Sequence, residues 1–347
     1  MTKYSFLDDY SEGCHPAILN ALNLSNNCQQ SAYAEDEYSA KAKSLIQNLV
    51  ANLDTAVYFV SGGTLANIII IAACLKSYEA VIAPSSGHIV SREAGAIEAT
   101  GHKIITVPAI DGKLTPEGVK GALDSNGLFP HMAKPRLVYI SNSTEIGTFY
   151  TKAELSALSA ICKQNNLLLM LDGARLGAAI TAETNDLTIS DIAHLTDVFW
   201  IGGTKAGALL GEAIVINNLC LSEDFAFHVK QRGALLAKGR VLGIQFQTLF
   251  ENALFFENAI YANRLAQKIA VAINRLGYAL AAQTETNQIF PILPHSVIDK
   301  LQSDFDFYIW QVHDDQHSVI RLVTSWATDE AQVDKFIDCL YVSKDAA

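Results

Sequence analysis

What this 347-residue chain lacks narrows it first. Its six cysteines (Cys14, Cys28, Cys74, Cys162, Cys220 and Cys339) are scattered without CxxC spacing. That argues against a zinc site or a disulfide framework, so no metal is expected and the thiols read as reduced core or surface groups. No block of Lys and Arg stands out, and 36 acidic residues against 25 basic ones leave a net charge of −11. A nucleic-acid or anionic-membrane partner is therefore disfavoured. The longest apolar run, "IIIIAACL" (68–75), is too short to span a bilayer. The first residues, "MTKYSFLDDYSEG", lack a basic-then-apolar leader pattern. The expectation is a soluble cytoplasmic protein with no membrane partner, and neither an internal repeat nor a low-complexity linker interrupts it.

What the chain does have is an alternation of strand-like and helix-like segments. Apolar runs fall at "AVYFV" (56–60), "AVIAP" (80–84), "KIITVPA" (103–109), "RLVYIS" (136–141), "LLLMLD" (167–172), "DVFWIGG" (197–203) and "EAIVIN" (212–217). Helical stretches at 64–75, 115–123 and 152–165 lie between them, which is the βαβ rhythm of a mostly parallel sheet of seven strands flanked by helices, an α/β fold. The rhythm ends near 217. Residues 222–281 contain no proline and read as helices joining two units, among them "ENAIYANRLAQKIAVAINRL" (257–276). Strands at 287–293, 305–312 and 319–326, with helices near 295–303 and from 328, then predict a small C-terminal α+β domain. The division is expected near residue 250, giving a large domain with the N-terminal segment (1–250) and a small one (251–347), in keeping with the size at which single cores stop growing.

Three short stretches carry chemistry. In "LLLMLDGARLG" (167–177) a buried strand ends on Asp172, at the sheet edge where ligands of open α/β folds bind. Alone, that acid reads equally as a backbone cap. "VSGGTLAN" (60–67) sets Ser61, Gly62, Gly63 and Thr64 at the start of a helix, where backbone N–H groups and hydroxyls suit a phosphate; it also reads as a plain turn and N-cap. "DVFWIGGTKAG" (197–207) places Thr204 and Lys205 in a loop of small residues, where desolvation would lower the amine's pKa and make it a nucleophile; the bland reading is a solvated lysine. Together the three supply what pyridoxal 5'-phosphate needs: an anion site, a carboxylate for its pyridine nitrogen and a lysine for its aldehyde.

With "FLDDYSEGCHP" (6–16), "YAEDEYS" (33–39), "SSGHIVSREAGAIE" (85–98) and "IRLVTSWAT" (320–328) added, the chain resembles, over nearly its whole length, the threonine aldolase and β-eliminating lyase family. The similarity is greater to the low-specificity and phenylserine aldolase branch. The resemblance implies the fold type I, PLP-dependent transferase-like architecture and a carbon–carbon lyase acting on a small β-hydroxy-α-amino acid. It also implies a homodimer or homotetramer with active sites at the subunit interface. By the same resemblance Lys205 holds the cofactor covalently, Asp172 pairs with its ring nitrogen and His88 lies on its face. Ser61, Gly62, Gly63, Thr64 and Thr204 would serve the phosphate, while Tyr33, Arg175 and Arg321 would contact substrate, Arg175 also touching the cofactor side. Lys238 and Arg240 fall in a region that approaches a neighbouring subunit, or are surface cations. Two positions depart from the usual pattern: Asp8 replaces a Ser at the substrate carboxylate, and Glu145 replaces a His at the substrate hydroxyl, where a carboxylate raised in pKa by burial can act as base. A β-elimination, an aminotransferase and a non-catalytic relative are the rival readings.

Overall fold

The computed structural model describes residues 3–345. Seven strands form one sheet in the spatial order Ala56–Val60, Glu212–Ile216, Val198–Gly202, Leu168–Asp172, Lys134–Ser141, Glu79–Pro84 and Lys103–Val107. All seven apolar runs are thus strands, and only Glu212–Ile216 runs opposite to the other six. The helices Gly63–Cys74, Pro116–Ser125 and Lys152–Gln164 occupy the expected positions to within two residues.

Alternate residues of each strand go to opposite faces, so continuous apolar runs feed two cores. Val57, Phe59, Ile82, Val138, Ile140, Leu169, Leu171, Phe199 and Ile201 belong to one. Val81, Leu137, Tyr139, Leu168, Met170, Val198 and Trp200 belong to the other, with Ile69, Ile70 and Ile71 of the Gly63–Cys74 helix. That helix has almost no polar stripe because it is covered on most sides.

Pairing also decides where chemistry can sit. Ser141 is opposite Asp172, and Gly202 and Val60 are each opposite Glu212. The carboxyl ends of the parallel strands and the start of the antiparallel one therefore share an edge, and every loop that carries an expected site residue from 61 to 205 leaves from it.

The C-terminal unit has a third core, containing Leu265, Ile269, Ile320, Leu322 and Phe336. The expected strand over 287–293 is instead two short ones, Gln288–Ile289 and Ile292–Pro294, because Pro291 has no N–H for the ladder. Both pair with His317–Val323, whose other neighbour is Tyr308–Val312. The proline-free segment holds the helices Phe225–Gln231, Arg240–Glu251 and Leu254–Arg275, and the proposed division near 250 falls where Ala253, with φ 58°, separates the last two. The N-terminal strand crosses that division: Tyr4–Ser5 pairs with Phe305–Asp306, and Phe6 is buried in the C-terminal core. Arg240 donates to the carbonyls of Ser25 and Cys28 at the end of the Pro16–Ser25 helix and lies over Tyr38, whereas Lys238 is exposed. No helix among the described residues is long and apolar enough to cross a membrane.

The turn after Asp172 is packed against the next strand so closely that a Cβ on Gly173 would lie 1.9 Å from the Trp200 carbonyl oxygen. Backbone cannot yield as a side chain does. Gly173→Ala should lower stability by more than about 3 kcal/mol, read as a fall in the urea midpoint, whereas Gly13→Ala, with nothing within 4 Å, should leave it unchanged.

Candidate active site

Asp172 ends its strand almost fully buried, and three donors meet its two oxygens. The Tyr139 hydroxyl donates to Oδ2 at 2.7 Å, Asn67 Nδ2 to the same oxygen at 3.1 Å, and the Ala174 N–H to Oδ1 at 3.0 Å. Asn67 is itself oriented by Trp200, whose indole N–H donates to Asn67 Oδ1 at 3.0 Å. Asn67 also bridges to Glu93, donating to Oε1 at 2.8 Å, and the same Glu93 oxygen lies 2.8 Å from His88 Nδ1. A carboxylate at that distance holds the proton on Nδ1, leaving Nε2 as the outward nitrogen.

The other side of the cluster is built around Glu145. Its Oε1 accepts from Ser141 Oγ at 2.7 Å and from the His88 backbone N–H at 2.9 Å, while Oε2 is buried with no partner among the described residues. Burial raises its pKa, with the Asp172 charge adding to the rise and the Ser141 bond opposing it. Ser141 Oγ also stands 3.2 Å from the Tyr139 hydroxyl. Each hydroxyl has one proton and Tyr139 commits its own to Asp172, so Ser141 can serve Tyr139 or an ionised Glu145, not both.

Lys205 lies half-buried on a short 3-10 turn, Thr204–Ala206, with its amine 5.8 Å from the centre of the Tyr10 ring. Burial, then the Arg175 charge, lowers its pKa, against the opposing pull of Asp9, Asp172 and Glu212. The turn is pinned from below by Glu212, which accepts from the Gly203 N–H at 3.0 Å and from Thr204 Oγ1 at 2.9 Å. Burial raises the Glu212 pKa. The Thr204 hydroxyl thus has its proton committed to Glu212 and accepts from the Gly211 N–H at 3.1 Å. Gly62 is the N-cap of the Gly63–Cys74 helix with no side-chain cap, which leaves the first-turn N–H groups open to an acceptor, beside Ser61 and Thr64. A Cβ at Gly63 would stand 2.8 Å from the Trp200 ring, so the close approach needs glycine.

The two arginines differ. Arg175 is bidentate on Asp9, Nε to Oδ2 at 2.7 Å and Nη2 to Oδ1 at 2.9 Å, and Asn287 Nδ2 adds a bond to the same acid at 2.9 Å. Burial would push the Asp9 carboxyl up, but Arg175 and then Lys205 outweigh it and hold it at about 2. Arg321 faces no acid among the described residues: Nε and Nη2 both donate to Gln288 Oε1, at 3.1 and 2.8 Å. Burial, then Arg175, brings its pKa down to about 10, still cationic at neutral pH.

Two expected residues lie apart from this cluster. Asp8 turns its carboxylate to the Tyr10 N–H and the Ser11 hydroxyl as a local turn, and the buried acid of the pair is Asp9. Tyr33 is 45% exposed, with φ 59°, and its ring sits under Lys230. Asn67, Glu93, Tyr139, Ser141, Glu212 and Gln288 were not anticipated; the only local signal was the polar Asn67 in the otherwise apolar run "LANIIII".

A phosphate cradle, a buried strand-end Asp and a depressed lysine at one sheet edge fit pyridoxal 5'-phosphate, and the unpaired buried oxygens of Glu93 and Glu145 mark where further polar partners are wanted. The architecture and site define a PLP-dependent enzyme of fold type I. The sequence profile of the family described as β-eliminating lyase matches residues 7–295, and the chain belongs to that family, a group of PLP-dependent lyases. A low specificity L-threonine aldolase from a Pseudomonas species is 33% identical over 336 residues, covering 94% of this chain and 93% of its own. One from Pseudomonas aeruginosa is 33% identical over 332 residues with the same coverage. A threonine aldolase structure from Leishmania major superposes with a TM-score of 0.97 at 47% identity, covering 98% of this chain and 99% of that one. An aspartate aminotransferase from Thermus thermophilus, at 14% identity and a TM-score of 0.72 over 98% of this chain and 91% of its own, shares the fold alone.

Removing one member of a buried ion pair leaves the other uncompensated. Asp9→Asn should therefore cost about 3–5 kcal/mol of stability. In the native protein the Asp9 carboxyl is held near 2, below the ordinary unfolded value of about 3.9. Its contribution is present above that unfolded value and is lost as pH falls toward 2. Urea midpoints of the two proteins should accordingly converge on acidification and stay apart at neutral pH.

Proposed function

We propose that this chain cleaves a β-hydroxy-α-amino acid of the threonine, allo-threonine or phenylserine type to glycine and an aldehyde. The observation that carries the reading is Glu145: a buried carboxylate with one oxygen free of any partner, anchored to the His88 backbone beside the lysine and aspartate of a PLP site. The relatives named as threonine aldolases support it.

Lys205 would hold the cofactor's aldehyde carbon, Asp172 its ring nitrogen, His88 its face, and Ser61, Gly62, Gly63 and Thr64 its phosphate, while Thr204, its hydroxyl given to Glu212, would fix the turn that carries Lys205. Bound there, PLP supplies an electron sink for the pair released when a bond at Cα breaks. Asp172, which accepts from Tyr139, Asn67 and Ala174, would keep a proton on the cofactor's ring nitrogen. Arg321, lacking an acid partner, takes the substrate carboxylate, with Arg175 set behind it by Asp9. Glu145 accepts the β-hydroxyl proton on Oε2, and the Cα–Cβ bond then breaks. The proton gained on Oε2 neutralises Glu145, while Oε1 keeps the bonds it accepts from Ser141 Oγ and the His88 N–H.

We further assign the chain to the cytoplasm as a homodimer or homotetramer with active sites at the subunit interface. Support comes from the 53% exposure of Tyr10 beside Lys205 and the 48% exposure of Leu209 on the following loop. Tyr33, Lys238 and Asp8 would then act across that interface or at its rim.

Glycine release from cofactor-loaded protein, measured with L-threonine, L-allo-threonine and β-phenylserine, tests the reading; Lys205→Ala should release none. A keto acid and ammonia in place of glycine would instead establish β-elimination. Because the Glu145 pKa is raised, its basic form is lost as pH falls through a value above the ordinary glutamate range. The acid limb of kcat should lie there, and Glu145→Gln should abolish that limb and lower kcat about 100-fold.

A further inference from the structure

Among the described residues, the Arg321 guanidinium is held by an amide and an aromatic ring. Besides the Gln288 amide, its guanidinium carbon stands 5.5 Å from the centre of the Trp310 ring. The guanidinium carbon of Arg92 stands 5.5 Å from the same centre. Arg92 ends the short His88–Ser91 helix and precedes Glu93, the acid that holds His88. Phe290 meets Trp310 edge-on at 5.4 Å. Trp310 therefore joins the His88 segment to the arginine assigned to the substrate carboxylate.

Its position in the ladder is irregular in a way that serves this contact. Tyr308 is opposite Arg321 and Ile309 opposite Ile320, but Gln311 is opposite Val319, so Trp310 is an extra residue on its strand. A bulge of this kind bends the strand and re-aims the side chain it carries. Gln288 cannot orient Arg321 alone: a single oxygen accepts from both Nε and Nη2, which leaves the guanidinium plane free to rock about that point. Stacking against an indole removes that freedom.

We propose that Trp310 is a positioning residue that fixes the guanidinium plane of Arg321 for the substrate carboxylate and ties it to the segment bearing His88. This rests on Arg321 meeting the carboxylate, as assigned above, but not on which bond is broken afterwards.

The test compares two amines binding to the PLP-loaded enzyme, followed by the change in cofactor absorbance: glycine, which has a carboxylate, and methylamine, which has none. Trp310→Leu should weaken glycine about tenfold and leave methylamine within about twofold, while Trp310→Phe, which keeps a ring, should recover most of the difference. Trp310→Gln, a polar residue suited to a half-exposed edge strand, is a second ringless variant expected to behave as Leu does. Equal weakening of both ligands, or no change in either, overturns the proposal. If wild-type enzyme binds glycine and methylamine equally, the assignment of Arg321 fails instead; if it prefers glycine yet releases none from threonine, the aldolase reading fails and the positioning role stands.

Discussion

A buried carboxylate with no cationic neighbour in hydrogen-bond contact must be surrounded by donors, and Asp172 imposes that demand on everything near it. Tyr139 comes from the adjacent strand, Asn67 from the helix across the sheet and Ala174 from the turn beyond. Each donor brings a further constraint. Asn67 draws in Trp200 and Glu93, Glu93 fixes His88, and Tyr139 touches Ser141, which bonds to Glu145 and so returns to the His88 backbone. The circuit is closed, so the histidine assigned to the cofactor's face and the carboxylate assigned as base are positioned by the same set of bonds. Gly63 and Gly173 belong to this account as well, because both let backbone approach Trp200 at distances no side chain would permit.

The charges follow a different logic from the hydrogen bonds. Of the two site arginines, Arg175, which acts on Lys205, is neutralised, and Arg321 is not. Asp9 cancels Arg175 at close range and keeps a buried cation from standing alone. Arg321 is left with an amide and a ring, which orient it without satisfying its charge. An anion arriving at Arg321 thus gains a full charge-assisted contact, whereas one arriving at Arg175 competes with Asp9. The burial that depresses Lys205 raises Glu145 and Glu212, so three groups are moved toward neutrality by one physical cause.

Much of the scaffold was legible in the chain because strand burial leaves a local trace. A run such as "LLLMLD" needs no knowledge of its partners to be read as a strand, and its last residue is then at the sheet edge whatever the strand order. The same holds for "SGGT" and "GGTKAG", whose small residues announce backbone crowding. Where the reading differed, a local feature had a non-local consequence. Pro291 divided an apolar run, and the N-terminal strand joined the far end of the chain.

The sequence by itself determined the seven strands, the order of cradle, acid and lysine along the chain, and hence the cofactor class, since each of these depends on residue type and spacing within a few positions. Tertiary structure alone decided which of Asp8 and Asp9 faces inward, because Asp8 finds its partners within its own turn while those of Asp9, Arg175 and Asn287, arrive only with the fold. It also decided that Asn67 would meet Asp172 across 105 positions and Asn287 would meet Asp9 across 278. The slip that turns Trp310 toward Arg321 exists only once two strands are paired. Hydrogen bonds and charges over such separations are satisfied by the folded geometry, and no periodicity in the chain encodes them.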